Sequence, residues 1–251
     1  MPEELRIIPV RGIGEVRPGE EPAAIILTAL AQYDQPLVDH DIVVVTQKIV
    51  SKAEGRIVDP DTFEPSHLAE MAAAQGHKDA RYYEVVLRES RRIVKMDRGV
   101  LVTETHHGLI CANAGVDESN VAGGRTVTLL PLDPDASARA LRSALRERAG
   151  VDVAVIISDS FGRPWREGQV NIAIGVAGIA PLTDYAGQQD RYGYTMQASI
   201  LAVADELASA AELVMGKIDA VPVAIVRGYA YTSIEASARA LIRAPEKDLF
   251  R

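Results

Sequence analysis

Cysteine is almost missing from this chain. Cys111 is the only one, which excludes an internal disulfide and any zinc site built from several cysteines. A cytoplasmic location is the expectation that fits such cysteine usage. Long hydrophobic runs are missing too. None approaches the ~20 apolar residues that a membrane-spanning helix needs, and MPEELRIIPVRG does not read as a secretory leader. Positive charge is in deficit, at a formal net charge of -8. That argues against general nucleic-acid binding while leaving room for a small anion in a local basic pocket. Aromatic residues make up only 5% of the chain and Trp165 is the single tryptophan, so the core must come from Val, Ile, Leu and Ala. Two nucleotide signatures are also missing. No G-x-x-x-x-G-K-[ST] occurs, and Gly12-Ile13-Gly14 is followed by Arg17 where a dinucleotide fingerprint needs its third glycine.

What the chain does have is 251 residues and a 47% hydrophobic content, enough for one large domain or two small ones. Strand-like and helix-like patterns alternate. Strands are expected at 5–10, 41–46, 93–96, 100–103, 109–112, 126–130, 153–158, 170–174 and 221–226. The run DIVVVT at 41–46 is continuously apolar, as in a strand covered on both faces. Helices are expected at 22–33, 65–75, 78–88, 196–214 and 234–243. Another follows LDPD, where Asp133 or Asp135 can cap a helix that ends near Gly150. The class is α/β in an α+β style, with strand spacing too uneven to require a single doubly wound sheet.

Polar residues that follow buried strands mark the candidate sites. Val153–Gly175 carries a strand into Asp159 and Ser160, then a turn with Arg163, Trp165 and Arg166. An acid beside a hydroxyl can hold a hard cation, and the arginines can hold an anion. A second cluster, NAGVDESN at 113–120, offers Asp117, Glu118 and Asn120, although the same residue types also build ordinary turns. Lys48, Lys52 and Arg56 follow the DIVVVT strand as either a phosphate clamp or a solvated basic face. Asp117 and Asp159 could together hold Mg²⁺ or Mn²⁺ that bridges phosphates. His106 and His107 read as turn residues, and Cys111 as packing.

Taken together the segments resemble the coenzyme F420-0:L-glutamate ligase (F420 gamma-glutamyl ligase) family. The resemblance rests on IIPVRG at 7–12, RPGEEP at 17–22, DIVVVTQKIVSKAEGR at 41–56 and CANAGVDESNV at 111–121. It continues through LLPLDPDASARALR at 129–142, VIISDSFGRPWREGQVNIAIGVAG at 155–178, DRYGY at 190–194 and VMGKIDAVPVAIVRG at 214–228. It covers nearly the whole chain, in order. It implies a fold that is neither Rossmann nor P-loop, formed by one ligase domain over 1–251 with room for two intertwined subdomains. It implies a GTP-dependent, GDP-forming ligase that adds L-glutamate, and further gamma-linked residues, to coenzyme F420-0 through an acyl phosphate. Mg²⁺ or Mn²⁺, K⁺ and a homodimer are implied as well.

Carried onto this sequence, the resemblance implies metal ligands at Asp117, Asp159 and Ser160. It implies GTP contacts at Ile13, Gly14, Glu15, Val16, Gln47, Lys48, Lys52, Asn120, Met215, Gly216 and Lys217. Lys217 departs from the family pattern, which often has a metal-binding Glu or Gln there. Either Asp219 supplies the oxygen, or Lys217 replaces a metal charge on the phosphate. Arg163 and Arg166 rest on charge alone. Two other readings stay open: a nucleotide- or F420-binding module without ligase activity, and an amide ligase for a related phosphorylated acid.

Overall fold

The apolar runs of the sequence form the middle of one sheet. A computed structural model describes residues 4–118 and 126–248. In chain order the elements are β1 (Arg6–Pro9), α1 (Pro22–Gln32), β2 (Ile42–Thr46), α2 (Gln47–Ala53), β3 (Ile57–Val58), α3 (His67–Gln75), α4 (Ala80–Arg88), β4 (Ser90–Asp97), β5 (Val100–Thr105) and β6 (Ile110–Ala112). They continue with β7 (Val127–Thr128), α5 (Pro134–Ala149), β8 (Ala154–Arg163), β9 (Arg166–Ala177), β10 (Thr183–Asp184), β11 (Ile200–Leu201), α6 (Val203–Met215) and β12 (Val223–Arg227).

The main sheet has five strands in the order β1-β12-β2-β8-β9. Its central pair, β2 and β8, is parallel, with Ile42 opposite Ala154 and Thr46 opposite Ser158. The other pairings in this sheet are antiparallel. Alternate side chains serve opposite faces, as strand geometry requires. Val43, Val45, Val155, Ile157, Val223 and Ile225 join the core under α1, α2 and α5. Ile42, Val44, Ala154, Ile156, Ala224 and Val226 join the core under α6. This double covering explains why β2 and β8 read as unbroken apolar runs. Burying one such isoleucine fully contributes about 1.5–3 kcal/mol.

The helices follow local rules. Pro22 opens α1, and Ala23, Ile26, Ala29 and Leu30 face the core at helical spacing. Asp133 caps α5 by accepting from the Ala136 amide, and Gly150 ends it at φ 72, a left-handed position that glycine adopts without a Cβ clash. A third core, with Tyr82, Tyr83, Val86, Leu101 and Val116, lies among α3, α4 and the three-stranded sheet β4-β5-β6.

Three expectations change. The strand expected to end at Ser158 continues to Arg163, because β9 stays paired with it well beyond the last contact with β2. Asp159 and Ser160 therefore sit on a strand rather than in a loop. The helix expected from residue 196 starts only at Val203, since Ile200 and Leu201 pair with β10. The helix expected at 234–243 shrinks to a 3₁₀ turn at Ala238–Leu241. There the Asp135 carboxylate binds the Ser237 hydroxyl at 2.5 Å and the Ala238 amide at 3.0 Å. These tertiary bonds fix the segment's backbone without a helix.

Candidate functional site

The pairing directions bring four chain segments to one end of the main sheet. β2 ends here at Thr46, and β8 reaches the same level at Ser158, its last residue paired with β2. β12 runs against β2 and so begins here, with Val223 opposite Val45. β1 finishes here, and the Val10 amide continues the ladder by donating to the Val223 carbonyl at 2.9 Å. The segments 11–16, 47–52, 159–163 and 216–222 therefore emerge together. The carboxyl ends of parallel strands in an open sheet are where α/β proteins commonly bind ligands.

Asp159 is half-buried on β8. Protein packs around its carboxyl group, and this desolvation is the main cause that raises its pKa to about 7. The negative charge of Asp117 pushes the same way, while the Ser160 amide, Lys48 and Lys217 partly offset the rise. Asp117 approaches from the small-sheet side, where it bridges Thr128. The Lys48 ammonium holds it at 2.8 Å. Cys111 lies close enough to Asp159 for its thiol, already desolvated, to be pushed up to about 12. A thiol held protonated in this way is a packing group and not a nucleophile.

Ser160 faces different neighbours. Its hydroxyl donates to Asn171 Oδ1 at 2.7 Å and accepts from the Lys217 ammonium. Asn171 Nδ2 donates to Glu212 Oε2 at 2.8 Å, and Glu212 Oε1 holds Lys217 at 3.0 Å. Lys217, Ser160, Asn171 and Glu212 thus form a closed ring of polar contacts. Asn171 and Glu212 escaped the sequence reading. A lone Asn in the apolar strand VNIAIG was the available signal for the first, and an acid one turn before the Met215-Gly216-Lys217 loop for the second.

The remaining expected residues divide by their surroundings. Lys52 is buried and pairs with Glu15 at 2.6 Å. Gln47 is buried and accepts from the Ser51 hydroxyl at 2.7 Å. Ile13, Val16 and Met215 place their side chains in the cores, so only their backbone can meet a ligand. Gly14 leaves open space above its Cα. Gly216 has φ 62, and the Asp219 carboxylate packs against it so closely that a Cβ would lie 2.6 Å from Oδ2. Arg163 turns back to donate to the carbonyls of Glu167 and Gly168 at the tip of its own hairpin. Arg166 is exposed. Asn120 lies outside the described residues.

Among the described residues no group of three or more His, Cys, Asp or Glu is placed to hold a metal on its own. The donor set still suits a divalent cation. Asp117 and Asp159 are hard oxygen donors, Asp117 close enough for its charge to help raise the Asp159 pKa, and Mg²⁺-type ions take one or two carboxylates and complete their shell with water and phosphate. The Asp159 pKa is raised chiefly by desolvation, and a bound cation would offset that cost by favouring the carboxylate form.

These features define an α/β protein with a charged site at a sheet end, carboxylates and lysines interleaved. The comparisons with known proteins narrow this. Residues 12–228 match the model of the F420-0:Gamma-glutamyl ligase family. A coenzyme F420:L-glutamate ligase of Methanothermobacter thermautotrophicus is 44% identical over 250 residues, covering 98% of this chain and 99% of that protein. Its counterparts in Methanopyrus kandleri and Methanocaldococcus jannaschii are 46% and 44% identical, over 98% and 88% of this chain and 98% and 88% of their own lengths. The chain belongs to the F420-0:Gamma-glutamyl ligase family.

Proposed function

We propose that this protein ligates L-glutamate to coenzyme F420-0, using GTP and releasing GDP and phosphate. The observation that carries the reading is the convergence of Lys48, Lys52, Asp117, Asp159 and Lys217 at one sheet end in a chain of this family. A carboxylate is a poor acyl donor to an amine. In the proposed reaction the F420-0 carboxylate oxygen attacks the γ-phosphorus of GTP, forming a C–O–P bond as the bond to GDP breaks. The glutamate amine then attacks the acyl carbon, an amide bond forms, and phosphate leaves with the C–O bonding electrons.

The chain's own residues position the reactants and balance their charge, the main demands of phosphoryl transfer. Lys48 and Lys52 supply cationic donors from α2 toward the nucleotide phosphates. The backbone of Ile13–Val16 and of Met215–Lys217 borders the nucleotide, with Gln47 buried beneath it. Asp117, Asp159 and the Ser160 hydroxyl would hold Mg²⁺ or Mn²⁺, with Asn120 nearby in sequence. When bound, the cation offsets charge on the phosphates. K⁺ belongs to the same proposal as a monovalent activator. Lys217 takes the part of a fixed positive charge beside Ser160, which suits a phosphate oxygen equally well. Asp219 packs against Gly216, so Lys217 is the better supported of the two alternatives.

A homodimer belongs to the same reading. Trp165 and Ile218 are 79% and 93% exposed, and large apolar side chains flanking a site are apt interface material. Light scattering would measure the mass. Among the described residues no helix is long and apolar enough to cross a membrane.

Turnover with F420-0, L-glutamate, GTP and Mn²⁺, read by mass spectrometry, should yield glutamylated cofactor and GDP in equal amounts. No glutamylated product with any nucleoside triphosphate would overturn the proposal. The closed ring around Ser160 favours one competitor, a module that binds nucleotide with Lys217 locked in place and does no chemistry. Tight GTP binding without metal-dependent turnover would establish that instead.

A further inference from the structure

Away from the sheet end, a cavity of about 270 Å³ opens between the β5–β6 turn and the C-terminal 3₁₀ segments. Arg91, His107, Arg239 and Arg243 line it, with Glu104 as its carboxylate and Ile242 on its apolar side. The two walls belong to distant parts of the chain. They touch where Ile242 Cδ1 comes within 3.5 Å of the place a Cβ on Gly108 would take. The turn lies at the opposite end of β6 from Asp117, and no residue that lines the cavity belongs to the charged sheet end.

Its electrostatics favour one sign. Glu104 is buried and already engaged, at 2.7 Å by Arg92 and at 3.3 Å by Arg91. Among the described residues neither Arg239 nor Arg243 forms a salt bridge. In a chain of net charge -8, three guanidinium groups around one small cavity make a local field that draws anions. Guanidinium forks match carboxylate and phosphate oxygens. The His107 ring is anchored from behind, with Nε2 at 2.8 Å from the Pro131 carbonyl oxygen, while Nδ1 is buried away from the cavity.

We propose that this cavity binds a small oxyanion, at a site separate from the sheet end. Hydrogen phosphate and a small dicarboxylate both present oxygens that a guanidinium fork matches. Calorimetric titration of the metal-free protein distinguishes them, one arm with inorganic phosphate and one with L-glutamate, at millimolar concentration. At least one probe should bind with 1:1 stoichiometry. Arg239→Ala/Arg243→Ala should weaken that binding at least about tenfold, the scale expected for loss of charge-assisted hydrogen bonds. Arg239→Lys/Arg243→Lys should recover part of it, and Asp159→Asn should leave it unchanged. Circular dichroism verifies that each variant is folded. Binding by neither probe, or a binding isotherm left unchanged by the double alanine variant, would overturn the proposal. The assay involves no turnover, so its failure is distinct from failure of the ligase reading.

Discussion

The two ends of the main sheet each hold an aspartate, and they treat it in opposite ways. Asp41 lies just before β2, at the end remote from the candidate site, and is fully buried. Arg227 grips both its oxygens at 2.8 Å, the Val38 amide donates to it at 2.9 Å, and the Pro36 carbonyl ties down the same guanidinium. Asp159, at the other end, has only partial burial and no arginine. It faces a second carboxylate and carries a pKa of about 7. One sheet therefore contains a charge that is fully answered and a charge that is left wanting. The first fastens β2 to β12. The second keeps open a demand for positive charge, which is what a site for a cation and phosphates requires.

Exchanging each aspartate for its amide breaks this comparison where it is strongest. Asp41→Asn leaves Arg227 facing a neutral group in a buried setting, and loss of one partner from such a pair costs about 3–5 kcal/mol. Chemical denaturation should show a loss of that size. Any fall in turnover should follow the folded fraction alone. Asp159→Asn should do the reverse. Turnover should fall at least about a hundredfold, while the stability of the metal-free protein at pH 8 stays the same or rises. A destabilised Asp159→Asn would mean that this carboxylate is structural.

Acidity sharpens the same contrast. The Asp159 pKa in the folded protein stands above its ordinary 3.8, so the folded state holds this proton more tightly than the unfolded one. Its contribution to stability is present in full below about pH 4 and is lost as pH rises to about 7. The difference in melting temperature between wild type and Asp159→Asn, both metal-free, should change across that window in this direction. A constant difference would contradict the environment described for Asp159.

Smaller effects test the surroundings. Lys217→Gln removes the positive charge beside Ser160 and opens the ring with Asn171 and Glu212. If Lys217 stands in for a cation, half-maximal turnover should then need about tenfold more Mn²⁺, the order of one charge-assisted hydrogen bond. An unchanged requirement would separate Lys217 from the ion's role. Asp133→Ala lies at neither aspartate and removes only the cap of α5, so it should cost about 1 kcal/mol of stability with turnover per folded molecule unchanged.

Much of the sheet was legible in the sequence, for a physical reason. A strand covered on both faces must be apolar at every position, and DIVVVT and VAVII announce this directly. The α5 cap and its Gly150 stop were equally local signals. What lay hidden depended on distant partners. The extension of β8 past Ser158 exists because β9 remains alongside, and the loss of the expected 234–243 helix reflects an Asp135 carboxylate a hundred residues away. At the candidate site, Asp117, Asp159 and the lysines were named from residue type and family likeness. Asn171 and Glu212 were not, because an amide in an apolar strand and an acid in an ordinary helix show their use only when Ser160 and Lys217 stand beside them.

The parallel pairing of β2 with β8 carries one more consequence, for the order of events during folding. It is the one parallel pairing among the described residues, and it joins residue 42 to residue 154. Contacts so far apart in sequence form only after a large loop has closed, which makes them late and slow. A nascent chain that has emerged through α5 already contains Lys48, Lys52 and Asp117 but has no strand on which to mount Asp159. The proposed cation site should therefore form only after this closure, and the sheet is complete only when β12 has also joined β1 and β2.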